Sequence, residues 1–159
     1  MHVIRPVFPA CLALLLGIAP ANAWWQYAQW DLNESQLISA SKGEAIACRD
    51  EVPMCARTSN GNQPKLFVPS VQMVGMPTMV AFAFDTQGQL CETVVLFPTS
   101  DYMLIGNLVQ GIHGSPDGQD RGESPRAVWR DDKRGSMLTA VPVGTGTRLT
   151  YMPADRPRP

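Results

Sequence analysis

Apolar and polar positions recur along this chain in two rhythms, and each rhythm marks a kind of element. Asn33 and Gln36 have the spacing of a capping box, and Leu32 and Leu37 flank them as a hydrophobic staple. A helix is therefore predicted from Glu34 to about Ser41, with Leu37, Ile38 and Ala40 toward the core and Gly43 as a left-handed cap. Leu104, Ile105, Leu108, Val109 and Ile112 repeat at three and four residues, which predicts a second helix from Asp101 to about Ile112. Thr99 or Ser100 would cap it, and Gly111 or Gly114 would end it.

Between and after the helices the period is two. Short strands are expected at Leu66–Val68 and Val71–Val74, and a stronger pair at Met79–Phe84 and Leu90–Phe97, joined by a turn in which Gly88 takes a positive φ. Val80, Phe82 and Phe84 point one way and Ala81 and Ala83 the other, so this hairpin is apolar on both faces and belongs at the centre of a sheet. Three further strands are expected at Ala127–Arg130, Met137–Pro142 and Thr147–Met152. The stretches 48–65 and 113–125 are turn-rich, and the second reads as a long polar loop. The sum is an α+β domain, two short helices packed on an antiparallel sheet of about six strands, in the order helix, meander, helix, meander.

The first 23 of the 159 residues read as a secretory signal: Arg5, then the apolar run 12–18, then Ala21-Asn22-Ala23 as a cleavage site. The apolar run is about half of what a membrane-spanning helix needs, so no transmembrane anchor is expected. The working chain would be one domain over 24–153 with a disordered tail over 154–159, soluble in the periplasm or secreted. Without Arg5, twelve basic residues face fourteen acidic ones with no long run of either sign, which gives no electrostatic footprint for nucleic acid. Export places Cys48, Cys55 and Cys91 in an oxidising compartment. The short loop between Cys48 and Cys55 favours a disulfide there, against the rival pairings Cys48–Cys91 and Cys55–Cys91. Cys91 lies in a strand pattern and is expected to pack as a small hydrophobe.

Three stretches carry most of the order of elements. Trp30-Asp31-Leu32-Asn33 opens a helix that ends in Ala40-Ser41-Lys42-Gly43. Val80-Ala81-Phe82-Ala83-Phe84-Asp85 turns through Gly88 into a second strand. Val128-Trp129-Arg130-Asp131-Asp132 is followed by the closing Leu149-Thr150-Tyr151-Met152-Pro153. In this pattern the chain resembles the small exported bacterial α+β proteins typified by β-lactamase inhibitor protein and the outer-membrane-assembly lipoproteins. Members of that architecture mostly bind other proteins, so the resemblance implies a protein-binding role and assigns no residue to it.

Candidate chemistry is sparse. Trp24, Trp25 and Tyr27, with Trp30 close behind, form an aromatic segment suited either to a binding surface or to sealing the core. Asp117, Asp120 and Glu123 sit in the polar loop, where Asp117 and Asp120 are candidate contact residues; their spacing does not fit a calcium loop. Met73, Met76 and Met79 repeat at three residues, and thioethers suit Cu(I), although methionine also fills irregular core space. The one histidine after the signal, His113, and the adjacent Asp131 and Asp132 form no recognisable catalytic set, and no cofactor is expected. The expectation is an exported, non-catalytic module that binds another protein of the periplasm or envelope, as inhibitor, immunity or accessory protein. The alternatives are a periplasmic Cu(I) or small-ligand binder and, last, a cell-wall hydrolase acting through carboxylates.

Overall fold

The computed structural model describes residues 25–155; Trp24 and the whole signal segment lie outside them. Two helices, α1 (Glu34–Ala40) and α2 (Tyr102–His113), alternate with eight strands. These are β1 (Ile46–Ala47), β2 (Gln63–Met73), β3 (Met76–Phe84), β4 (Leu90–Phe97), β5 (Gly118–Asp120), β6 (Arg126–Asp131), β7 (Ser136–Val143) and β8 (Gly146–Pro153). One antiparallel sheet holds them in the order β1-β2-β3-β4-β8-β7-β6-β5. Each half is thus a helix followed by a four-stranded meander, and the meanders meet at their last strands. The α+β class and the order of elements are as expected; the sheet has eight strands instead of about six.

The differences have local causes. β2 is one strand where two were expected, with register shifts at Pro64/Leu66 and Val68/Val71. β1 pairs only with Leu66 and Phe67, so the outer side of β2 carries no ladder at Pro64 or Pro69, which lack the N–H a ladder would need. Val74, expected in a strand, occupies the hairpin tip with φ +53° beside Gly75. β1 and β5 are two and three residues long, too short for period two to show.

Both helices start on their own side chains. Asn33 accepts from Gln36 N–H while the Gln36 side chain accepts from Asn33 N–H, and Asp101 caps α2 by accepting from Leu104 N–H. α1 ends through Lys42 at φ +52° and Gly43 at φ +88°, α2 at Gly114 with φ +81°. Their apolar stripes are wider than their contacts. Only Leu37 of α1, and Ile105 and Val109 of α2, are buried, whereas Ile38, Leu104 and Ile112 are exposed.

The main core lies between the helices and one face of the sheet, which presents Val80, Phe82, Val95, Leu149, Tyr151, Leu138 and Trp129. Trp30 Nε1 donates to Ser136 Oγ at 3.2 Å and Trp129 Nε1 to the Gly114 carbonyl at 3.0 Å, tying the N-terminal segment to β7 and α2 to β6. On the opposite face a second, smaller core covers only the first half. There the Cys48–Cys55 disulfide and a 3-10 turn at Pro53–Cys55 close over Phe67, Ala81 and Val94. With eight residues in the covalent loop, chain entropy alone assigns that disulfide about 2.5 kcal/mol. Cys91 is buried and its thiol donates to the Ala83 carbonyl. At the tail, Ala154 N–H is bound by the Gly135 carbonyl.

The seam between halves is tightest where β8 begins. A Cβ on Gly146 would stand 2.7 Å from the Phe97 carbonyl oxygen, while Thr147 Oγ1 donates to the Thr99 carbonyl at 2.9 Å. Gly106, in the middle of α2, has open space around its Cβ position. Gly146→Ala should therefore cost about 1–3 kcal/mol by forcing the seam apart. Gly106→Ala should stabilise by about 0.5–1 kcal/mol. Urea unfolding of both variants checks the pair, and equal effects of the two would refute this account of the seam.

Candidate binding cleft on the open sheet face

Strand alternation sends Leu138, Ala140, Leu149 and Tyr151 toward the helices, and sends Thr139, Val141, Arg148, Thr150 and Met152 to the other side. Among the described residues, that other side has no counterpart of the disulfide loop over β6–β8. The register makes Thr139 face Thr150 and Val141 face Arg148, with Arg126 beside Val141 because Ala127 pairs with Ala140. These side chains, with Ser59 and Asn60 at the rim, line a cleft of about 360 Å³.

The cleft holds donors without acceptors. Neither Arg126 nor Arg148 forms an ion pair among the described residues. Arg148 Nε is buried with no hydrogen-bond partner. Thr139 is only 8% exposed, and its hydroxyl also lacks a partner. A buried donor left unsatisfied costs about 1–3 kcal/mol, so two in one cleft are a departure from the usual pairing of buried polar groups. Arg126 and Arg148 stand on strands two apart, which puts their backbones about 10 Å from each other across the floor.

The rim is held by a buried acid. Glu92, on β4 and fully buried, accepts from Thr58 Oγ1 at 2.8 Å, Asn62 Nδ2 at 2.9 Å and Asn60 Nδ2 at 3.2 Å. All three donors are neutral, and they pin the loop after the disulfide against the sheet. Asn60 thereby stands at the border between the covered and open halves.

The residues singled out from the sequence lie elsewhere. Trp25 is buried in the main core with its ring edge-on to Tyr27, and half-buried Tyr27 packs against Phe82. Asp117 and Asp120 are exposed and bind nearby backbone, Asp117 accepting from Arg130 N–H of β6 at 2.6 Å and Asp120, at the end of β5, from Gly122 N–H at 2.9 Å. Met73 and Met76 face each other across the hairpin and pack on the main core. Met79 follows Thr78 and precedes Val80, both buried on the core side, so strand parity turns it to the other face. Sequence reading passed over Arg126, Thr139 and Arg148. Its only available signal was a cation or hydroxyl at the outward position of a strand, and that they share one cleft depends on register.

A second polar cluster joins α2 to the β6–β7 turn. His113 Nδ1 lies 3.2 Å from Asp131 Oδ2, and Arg134 donates to the same oxygen at 2.6 Å. The imidazole is 3% exposed, its ring 6.3 Å from that of Tyr151, and with Asp131 and Arg134 it borders a cleft of about 560 Å³. Desolvation lowers the His113 pKa from its usual 6.5, outweighing the Asp131 carboxylate, which raises it. For Asp131, burial raises the carboxyl, but the hydrogen bonds from Arg134 outweigh this and leave it lowered.

Comparison with protein-family models, with curated proteins and with solved structures finds no match to this chain.

Because folded His113 binds its proton less readily than the unfolded chain, stability is full above the unfolded value of about 6.5 and falls as pH drops below it. Asp131 adds a second acid loss as pH falls through its lowered folded value. The midpoint of thermal unfolding should decline between pH 7 and pH 5, and His113→Asn should flatten that step while keeping the loss at lower pH. A midpoint that stays level from pH 7 to pH 5 in the unaltered protein would contradict this.

Proposed function

We propose that this chain is an exported, non-catalytic module that binds another protein of the periplasm or envelope through the open face of β6–β8. One observation carries the reading: the disulfide loop covers this face over the first half of the sheet, whereas over the second half the described residues leave a cleft lined by arginines and a hydroxyl without partners. A cleft with unspent hydrogen-bonding capacity is suited to a partner surface. The burial of His113, the sole histidine among the described residues, supports a role without acid–base catalysis. The Cys48–Cys55 disulfide supports an oxidising compartment, and no helix among the described residues is long and apolar enough to cross a membrane. The arrangement of a helix and a four-stranded meander in each half is compatible with a protein-binding α+β module. Within this reading residues 1–23 act as a signal peptide cleaved after Ala23.

Photo-crosslinking in the protein's own host tests the proposal. A photoreactive residue in place of Ser59, at the rim of the cleft, should give one dominant protein adduct. The same residue in place of exposed Ser39 on α1 should not. Equal labelling from both positions, or none from Ser59, would overturn the assignment of this face.

A further inference from the structure

The chemistry of the cleft identifies the group it is built to hold, on the premise that this face binds a protein. We infer that the cleft receives an acidic segment of the partner, two carboxylates spaced along an extended stretch, with Arg148 and Arg126 as their cationic receptors and Thr139 as a hydrogen-bond donor. The charge of the unmatched groups argues for it. Arg126 and Arg148 carry two positive charges that no acid of this chain neutralises among the described residues. The ion pairs that other described Arg and Lys residues form lie in the loop after β1, against α1, or at the β6–β7 turn, and none of them involves a residue lining the cleft.

Thr139 supplies an independent observation. Its hydroxyl is more than nine-tenths buried, lines the cleft and has no acceptor. Arg148 Nε is in the same state, buried and unpaired, and guanidinium N–H groups bind carboxylate oxygens in parallel pairs. The floor between the two arginines is Val141, with Met152 further along, so the segment between the two acids meets apolar surface. Residues two apart on an extended chain project to the same side about 7 Å apart, and two flexible arginine arms on backbones about 10 Å apart can converge on that spacing. An acidic side chain there would accept from donors that now have no partner. A neutral segment could accept these hydrogen bonds through its carbonyls but brings no negative charge to two guanidinium groups it shields from water, which discriminates against it.

The probe is a capped heptapeptide, Gly-Ser-Glu-Val-Glu-Ser-Gly, titrated into isotope-labelled protein at low salt, with the Gln-Val-Gln peptide and acetate as comparisons. Saturable shifts at Arg148 Nε–H, Arg126 and the Thr139 methyl are expected with the Glu peptide only. Arg148→Gln should weaken that binding about tenfold, the scale of a lost charged hydrogen bond. Thr139→Val keeps the shape and removes the unpaired hydroxyl. It should weaken binding while leaving the thermal midpoint unchanged or raised, a combination a merely structural threonine would not give.

Equal binding of the Gln peptide, saturation by acetate at the same concentrations, or undiminished binding by either variant would overturn the inference. So would the absence of saturable shifts with the Glu peptide. Its failure is distinct from failure of the protein-binding reading. A partner crosslinked from Ser59 in a host where the Glu peptide does not bind keeps that reading and removes the acidic segment. Peptide binding with no crosslinked partner does the reverse.

Discussion

The pairing of β4 with β8 is the constraint on which the rest of this structure depends. Each half supplies a helix and a meander whose outermost strands are very short, and the main core draws on both halves. Joining the last strands, from Thr93 opposite Tyr151 to Phe97 opposite Thr147, makes one sheet and lays Val95 beside Leu149 under the helices. β4 is buried over all but one of its eight positions because it has a strand on each side and a covered face above and below. The absence of a side chain at Gly146 is what lets β8 start so close to Phe97.

That same seam divides the far face of the sheet into two unlike territories. On the β2–β4 side a short disulfide-closed loop buries Phe67, Ala81 and Val94, and the loop behind it is anchored on Glu92 by three neutral donors. On the β6–β8 side the loop at Ser59 and Asn60 reaches only the rim, where Asn60 donates to Met152 Sδ, and two of the donors in the cleft beyond it are both buried and unsatisfied. Buried polar atoms without a hydrogen-bond partner also occur at Thr93 and Tyr102, but this cleft brings a hydroxyl and a guanidinium of that kind together, next to a second arginine that forms no ion pair among the described residues. The His113–Asp131–Arg134 cluster is the opposite case: its charges are matched among themselves, and it fastens α2 to the β6–β7 turn.

The legible parts of the fold were those written within a few residues. The Asn33–Gln36 box, the Gly88 turn and the two-faced apolar hairpin of β3 and β4 need only local spacing, and each appears where the chain announced it. The pairing of Cys48 with Cys55 is local in the same sense. What spacing could not announce were β1 and β5, whose two and three residues become strands only because β2 and β6 offer them an edge. It also could not show that Leu104 and Ile112 stay exposed, since an apolar stripe records what a helix can bury and not how much of a sheet lies beneath it.

The candidate site separates the two kinds of information most clearly. By itself the sequence determined an α+β chain of two helices and two meanders, with a favoured short disulfide loop, few catalytic groups and strand positions whose side chains alternate between faces. The tertiary structure alone decided which outward positions become neighbours. Arg126, Thr139 and Arg148 are spread over 23 positions of the chain and meet only through the register of β6, β7 and β8. The aromatic segment, conspicuous in the sequence, was drawn into the core at Trp25 because the sheet left apolar surface there to cover. Residue spacing encodes the direction of a side chain along its own strand, whereas the environment it meets is set by hydrogen-bonded partners distant in sequence.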